Sequence, residues 1–337
     1  MKKLLIAIWF GMTSLVIHAQ DALFSQQFLL PALINPAALG NGADFRAGLN
    51  YRNQYSSVAK PFNTIVASFD MRLSKNDRRN KSKKGLAVGL NLLRDKAGDP
   101  ELTTLMGEAM VAYRVQLTNE STLSGGLSVA FDQRSVNPAD GKWASQFNGV
   151  FYDPSLGSGE SFAGDAESHL DVGAGIIYEL RREPRGRKKK QDLVLRAGLS
   201  AYHLGRAALS DSQLLTQDIG VRVTGFAHAE LAIGEMNGVV PAVFGHYQNG
   251  ASKIMAGAYF KQILVTGESF IRDIKESALY VGLFYEPSRA IIAKGFVEFG
   301  AYTLGVAYDI DISEVAEFGS SSRAFELNLI YQWQKGS

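Results

Sequence analysis

The chain has 337 residues, of which 46% are hydrophobic and 20% are charged, and it contains 34 glycines and no cysteine. This composition excludes an intrinsically disordered chain, and a mean hydropathy of −0.04 is too low for a polytopic helical membrane protein. The lack of cysteine excludes disulfides, thiolate metal sites and a lipid-modified cysteine, and a formal charge of +2 gives no reason to expect nucleic acid as a partner.

The N-terminus has the pattern of an export signal. Two lysines precede an apolar run over residues 4–17, and Ala19 supplies the small residue that a signal peptidase requires. A transmembrane anchor is the weaker alternative, because the run is shorter than the roughly 20 residues of a spanning helix. We therefore predict a signal peptide over residues 1–19 and a mature chain that starts at Gln20.

Residues 20–43 form an apolar segment that turn signals interrupt at Asn35-Pro36 and Gly40-Asn41-Gly42. The segment is too long and too apolar to be left in water, so it must be buried in the barrel or against a partner. The strand pattern after this segment, described next, predicts a barrel of about fourteen strands. Such a barrel would enclose more space than its own side chains fill. We therefore predict a plug in the lumen or the periplasmic mouth of such a barrel. The candidate plug residues are Phe24, Ser25, Gln26, Asn35 and Pro36.

From residue 44 onward, stretches of about ten residues alternate apolar with polar or small side chains, which is the period of a strand with one face in lipid. In the last stretch, Phe325, Leu327 and Leu329 alternate with Glu326 and Asn328. A soluble β-sandwich is the alternative, but charged residues should then lie on the water-facing side of the sheet. The pattern predicts an all-β fold, an antiparallel transmembrane β-barrel of about 14 strands over residues 44–337. The predicted strands are 44–53, 62–73, 84–94, 102–117, 121–133, 169–180, 192–202, 217–233, 239–247, 252–263, 278–286, 289–298, 301–310 and 323–333.

Two predicted connections are unusually basic, SKNDRRNKSKK at 74–84 and RREPRGRKKK at 181–190. Both follow even-numbered strands, so a barrel with its N-terminus in the periplasm places them on the periplasmic side, and the longest connection, 134–168, outside. We predict a docking surface for an acidic periplasmic partner. Solvated charge runs are one alternative, and outward-facing contacts with lipopolysaccharide phosphates are another if the strand count slips. The candidate residues are Lys75, Arg78, Arg79, Lys81, Lys83, Lys84, Arg181, Arg182, Arg185, Arg187, Lys188, Lys189 and Lys190.

Catalytic constellations are lacking in the sequence. The histidines after the predicted signal peptide have no metal-ligand spacing and no nucleophile motif beside them, so each is interpreted as a strand-end or lumen residue. They are His169, His203, His228 and His246. Asp309 and Asp311 share one face of a strand and could bind a cation, but a role in the turn before Ser313 is the favoured interpretation. The sequence predicts no enzyme, no cofactor and no metal site.

The segment QDALFSQQFLLPALINPAALG, Gln20 to Gly40, resembles the opening of the PorP/SprF family of type IX secretion system membrane proteins, which begins QDPxFSQY and continues to a NPAYAG-like turn. Ala22, Gln27 and Ala38 depart from that pattern. The residues that match it are Asp21, Phe24, Ser25, Gln26, Asn35, Pro36, Ala37 and Gly40. Later stretches are similar to family segments in the same order, namely WASQFNGVFYDPSLGSGE at 143–160, SAYHLGR at 200–206, GVAYDIDIS at 305–313 and AFELNLIYQW at 324–333.

The resemblance implies an outer-membrane component of the type IX secretion and gliding apparatus of Bacteroidota. Its implied partners are periplasmic ring or peptidoglycan-linked proteins, or a secreted adhesin, with outer-membrane lipid around the barrel. A transport barrel for hydrophobic compounds with an N-terminal hatch is the alternative function, because it would share both the barrel and the turn. An outer-membrane enzyme is disfavoured, since no catalytic cluster supports it.

Overall fold

The fold is described from a computed structural model, which covers residues 21, 23–55, 61–73, 85–98, 102–136, 141–157, 159, 166–182, 193–205, 220–265, 277–313 and 323–334. Fourteen strands account for most of these residues. They are β1 Phe45–Gln54, β2 Phe62–Arg72, β3 Gly85–Ala97, β4 Leu102–Gln116, β5 Ser121–Ser135, β6 Ala166–Arg182, β7 Leu193–Tyr202, β8 Arg222–Ala232, β9 Asn237–Gln248, β10 Ala251–Val265, β11 Ser277–Glu286, β12 Ala290–Phe299, β13 Tyr302–Asp311 and β14 Arg323–Trp333. Short 3-10 helices occur at Pro31–Leu33, Pro36–Ala38 and Ala144–Gln146.

The strands close into a barrel in which each strand pairs antiparallel with its neighbours in sequence. The first and last strands complete the ring, with Phe45 opposite Trp333 and Gln54 opposite Ala324. Closure satisfies the backbone hydrogen bonds of every strand, which a sheet in lipid requires. The predicted fold, an antiparallel barrel of about 14 strands, is confirmed. Most strand limits differ from the predicted ones by no more than three residues, and β8 starts at Arg222 instead of residue 217.

The outer face of the barrel is apolar. Leu127, Val129 and Phe131 of β5 are exposed, whereas the alternating Ser128 and Asp132 are buried on the inner face. Aromatic side chains gather toward the two ends of the strands, where amphipathic rings suit the lipid headgroup level. At the end of the barrel where β1 starts, the exposed aromatic residues include Tyr113, Tyr178, Phe299, Tyr302 and Trp333. At the opposite end, where β1 finishes, they include Tyr51, Phe131, Tyr247, Tyr285, Tyr308 and Phe325. In the described part of the chain, no helix is long and apolar enough to cross a membrane.

The barrel has two rims. The near rim is the end where β1 starts at Phe45 and β14 ends at Trp333, and the far rim is the end where β1 finishes at Gln54. Because the strands alternate in direction, β2, β4 and β6 end at the near rim and β1, β3 and β5 end at the far rim. The long connection between β5 and β6 therefore leaves from the far rim.

The interior differs around the ring in a way that strand period alone did not indicate. Along β8 to β12 a group of inward apolar side chains forms a buried cluster that includes Phe226, Phe244, Met255, Phe284 and Ile292. Where this cluster lies both faces of the wall are apolar, so the alternation of polar and apolar residues weakens. The remaining wall carries most of the inward polar and charged residues. The apolar half of the wall is covered from inside by residues that precede β1.

Candidate functional site

Residues 23–43 run lengthwise through the barrel. The carboxylate of Asp21 contacts His203 and Arg222, which lie at the far-rim ends of β7 and β8. At the other end, the backbone N–H of Gly40 donates to Asp70 and the backbone N–H of Asp44 donates to the carbonyl oxygen of Trp333. The segment therefore starts at the far rim and reaches the near rim, where it enters β1. The segment and β1 thus begin at opposite rims, so the parity argument holds for the start of β1 and not for the start of the segment.

The start of the segment is held by a buried ion cluster. Oδ2 of Asp21 lies 2.7 Å from Nε2 of His203 and 2.8 Å from Nη1 of Arg222. The other imidazole nitrogen, Nδ1 of His203, lies 3.0 Å from Oδ2 of Asp171. Arg134 is more distant, with Nη2 at 4.0 Å from Oδ1 of Asp21. A histidine between two carboxylates can donate to both only as the imidazolium.

The cluster shifts the pKa values of the two groups that lie outside the strands. Burial lowers the pKa of His203, but hydrogen bonds to Asp171 and Asp21 outweigh it and raise that pKa to about 9. Burial raises the pKa of Asp21, but the charge of Arg222, followed by the interactions with His203, holds it well below its usual range. At neutral pH the cluster therefore joins ionised Asp21 to two cations.

A second polar network fixes the backbone at Ser25 and Gln26. Their N–H groups donate to the two carboxylate oxygens of Glu326, at 2.7 Å and 3.0 Å. The carbonyl oxygen of Ser25 accepts from Nζ of Lys294 at 2.6 Å. Glu326 is fully buried, so its charge depends on these donors for compensation.

Arg52 completes this network. Its Nη1 lies 2.9 Å from Oε2 of Glu326 and its Nη2 lies 2.7 Å from Oδ2 of Asp309. The same Nη1 donates to Oγ of Ser25, and that hydroxyl donates to Asp309 at 2.7 Å. Asp311 instead accepts from the N–H of Ser313 at 2.8 Å. The turn interpretation thus fits Asp311, whereas Asp309 belongs to the arginine network.

The Asn35-Pro36 turn packs on a part of the wall that is built from glycine. Nδ2 of Asn35 donates to the carbonyl oxygens of Ile176 and Leu199, at 3.1 Å and 3.0 Å, and its Oδ1 accepts from the N–H of Ala37. A Cβ added at Gly126 would lie 2.4 Å from the carbonyl carbon of Pro36. One added at the neighbouring Gly175 would lie 2.2 Å from Oδ1 of Asn35. The turn can approach this closely only because the wall lacks side chains there.

All five candidate plug residues lie within this packing. Phe24 and Pro36 are buried, as are the polar side chains of Ser25, Gln26 and Asn35. Nε2 of Gln26 donates to carbonyl oxygens in β12 and β13. Sequence reasoning did not identify their partners. The alternation of polar and apolar residues predicted that Arg52 and Glu326 face the lumen. It did not predict their contacts with residues that are far away in the chain.

Only two of the thirteen candidate basic residues are described. Arg181 and Arg182 end β6 at the near rim, and their side chains are 38% and 63% exposed. Nε of Arg181 lies 3.6 Å from Glu179, and Nε of Arg182 lies 3.5 Å from Glu120. Part of this charge is therefore compensated within the chain. The other candidates, Lys75, Arg78, Arg79, Lys81, Lys83, Lys84, Arg185, Arg187, Lys188, Lys189 and Lys190, lie outside the described residues, as does the predicted signal peptide.

The four histidines do not form a metal centre. His203 belongs to the Asp21 cluster, and the ring of His228 packs edge-on against Phe28 with centroids 5.0 Å apart. Among the residues that the structure covers, no group of three or more histidine, cysteine or acidic side chains is arranged to hold a metal ion.

A closed barrel with an apolar outer belt and an internal segment defines a transmembrane β-barrel protein. A family model described as type IX secretion system membrane protein PorP/SprF matches residues 16–331. The chain belongs to this family, and it is an outer-membrane barrel whose family and fold indicate a secretion or transport component and not an enzyme. No curated protein matches the chain.

Several solved structures have a similar barrel at low sequence identity. The Ralstonia pickettii toluene transporter TbuX is 10% identical, with a TM-score of 0.49, and the match covers 90% of this chain and 94% of that one. The P. putida toluene transporter TodX is 12% identical, with a TM-score of 0.45 and coverage of 91% and 95%. A Pseudomonas aeruginosa FadL homologue is 9% identical, with a TM-score of 0.45 and coverage of 89% and 93%.

Proposed function

We propose that this chain is a docking barrel of the type IX secretion apparatus, with the near rim in the periplasm. Its partners would be periplasmic ring or peptidoglycan-linked proteins, and it would thereby support export of a surface adhesin. Membership of the PorP/SprF family supports the secretion role. The observation that favours docking is that β2 and β6, which lead into the two basic connections, end at the same rim.

The internal segment favours docking over an open channel. Its side chains contact the wall on several sides, with Leu30 against Gly48, Leu39 against Gly89 and Leu29 against Gly305. Phe28 packs on Phe226 in the apolar half, with ring centroids 6.3 Å apart. A barrel whose middle is packed in this way suits a plug, and residues 20–43 are proposed to act as one.

Electrostatics supplies the physical basis of the proposed docking. Clustered lysines and arginines steer an acidic partner toward the near rim, and salt screens the attraction over about 8 Å at physiological ionic strength. Docking should therefore weaken as salt is raised. Connections outside the apolar belt can change charge without disturbing the lipid-facing wall.

The test is a charge-reversal variant with Arg78, Arg79, Arg185, Arg187 and Lys188 all changed to Glu. We expect normal insertion, measured as heat-modifiable migration on gels, but loss of the periplasmic partners in pull-downs from native membranes and reduced export of type IX cargo. The exposed far-rim residue Lys142, changed to Glu, is the control at the other end. Retention of both partners and export by the charge-reversal variant would refute the proposal.

A further inference from the structure

A cavity of about 890 Å³ opens at the far rim, beside the internal segment. Leu23, Gln27 and Leu33 line it from the segment, and Met106 and Asp132 line it from the wall. A cavity of this size has the dimensions of a small-molecule site. Its lining combines apolar side chains with acidic and basic ones.

Carboxylates on the β3 to β5 side of the cavity have no ion pair within 4 Å among the described residues. His203 and Arg134 act on Asp132, and Arg222 on Glu108, only at longer range. Asp132 is 7% exposed, and no described residue gives it a hydrogen bond or ion pair. Asp95 accepts a hydrogen bond from the hydroxyl of Thr64, and Glu108 accepts from the amide of Asn91. Within the same set of residues, neither has an ion pair with a lysine or arginine. This contrasts with the opposite wall, where each acid of the Ser25 network is paired with Arg52.

The strand register brings these acids around an apolar floor. Met106 of β4 lies opposite Leu93 on β3 and opposite Asp132 on β5. Two residues along β4 in either direction, Thr104 lies opposite Asp95, and Glu108 lies opposite Ala130. Residues two apart share a face of a strand, so these acids flank the Met106 side chain on the inner wall.

The internal segment adds an unpartnered polar group on the other side of the cavity. The side chain of Gln27 is 3% exposed, and neither its Oε1 nor its Nε2 has a hydrogen-bond partner among the described residues. A buried amide without partners costs free energy that a ligand can recover by donating and accepting hydrogen bonds. Gln27 lines the same cavity as Asp132 and Glu108.

We propose that this cavity binds an organic cation, a protonated amine or guanidinium on an aliphatic body. The charged head would lie between Asp132 and Glu108, and the aliphatic part would lie on Met106. The nearby cations do not occupy this role, since Arg222 is paired with Asp21 and Arg134 is directed at the same carboxylate. A charged donor fits surplus buried carboxylates, which are stabilised by charge-assisted hydrogen bonds.

The test is calorimetric titration of the purified full-length barrel with n-butylamine and its neutral isostere n-butanol. A second pair, N-acetyl-lysine methylamide and N-acetyl-norleucine methylamide, distinguishes a free amine from a lysine side chain as the source of the cation. We expect saturable binding of at least one amine, at least tenfold tighter than its neutral isostere and weaker in high salt. The amine that binds more tightly shows whether the natural ligand is a free amine or a lysine side chain. Binding of either amine supports the proposal.

The variants Asp132→Asn and Glu108→Gln should each weaken amine binding at least tenfold. Asp153→Asn, in the exposed connection that leaves the far rim, carries the same charge change and should bind as the parent does. Heat-modifiable migration reports whether each variant folds. The comparison of each amine with its neutral isostere uses the parent protein, so it tests the proposal even if a variant fails to fold. Absence of saturable binding, equal affinity for amine and isostere, or unchanged binding by a folded Asp132→Asn would overturn the proposal.

Discussion

Replacing Asp21 by Asn should release the start of the internal segment from the barrel wall. The carboxylate lies 2.7 Å from His203 and 2.8 Å from Arg222, and the change leaves both cations without this partner. Removing one member of a buried ion pair costs about 3–5 kcal/mol. The lower value applies because Asp171 still contacts His203. A cost of about 3 kcal/mol raises the population of the released state about 150-fold.

The lack of cysteine in the chain provides a direct assay. Phe24 is only 7% exposed. With Phe24→Cys as the only thiol, the rate of maleimide labelling therefore reports how often the start of the segment leaves the wall. A single cysteine at Val150, which is 83% exposed in the connection after β5, measures the intrinsic reaction rate. Labelling at position 24 should rise by about two orders of magnitude when Asp21 is replaced. A rate within twofold of the parent would show that the ion cluster does not hold the segment.

The same assay has a defined pH dependence. The pKa of His203 is raised from 6.5 to about 9, so its contribution to docking is complete below pH 6.5 and is lost as pH rises through 9. The pKa of Asp21 is lowered from 3.8, so its contribution is present above that pH and is lost in acid. Docking should be firmest between these limits. Labelling at position 24, divided by that at position 150 to correct for thiol ionisation, should rise above pH 9, and His203→Gln should abolish that rise.

Three further predictions concern the internal segment and its contacts. Gly126→Leu should displace Pro36 and expose the segment to protease, because the new Cβ would lie 2.4 Å from the Pro36 carbonyl carbon; Gly125→Ala, with open space around it, should not. Arg52→Met should lower the free energy of unfolding by about 3–5 kcal/mol, seen as a lower urea midpoint, since two buried carboxylates lose their cation; an unchanged midpoint would contradict it. Deletion of residues 21–40 should leave a heat-modifiable barrel with measurable conductance in planar bilayers, and an intact electrical seal would count against a plug.

The barrel was largely predictable because its signal is local. In β5, the apolar residues Leu127 and Phe131 alternate with the polar residues Ser128 and Asp132. This alternation indicates which face meets lipid without any information about other strands. The apolar half of the interior was not predictable in this way. In β11, inward Phe284 alternates with outward residues that are equally apolar, so period two carries little information there.

The contacts of the candidate site were beyond local reasoning for a different reason. Family resemblance singled out Asp21 and Ser25, yet the partners of Ser25 include Glu326, 301 residues later in the chain. Such a pair becomes adjacent only when the ring closes, so no short window of sequence contains it. The basic connections are the opposite case. Their charge is evident in the sequence, whereas the rim at which the preceding strands β2 and β6 end depends on the number of strands.

The lengthwise course of the segment places a geometric limit on assembly. Asp21 lies at the far rim and Phe45 at the near rim, while hydrogen bonds between β1 and β14 seal the cylinder around the chain that joins them. The start of the segment must therefore be threaded through a finished ring, or the last strand must pair with the first after the other strands have surrounded the segment. The two routes differ in what they allow ahead of Asp21. A folded domain fused there would be too bulky to pass through a finished ring. Such a fusion should therefore block threading but permit closure of the barrel around the segment.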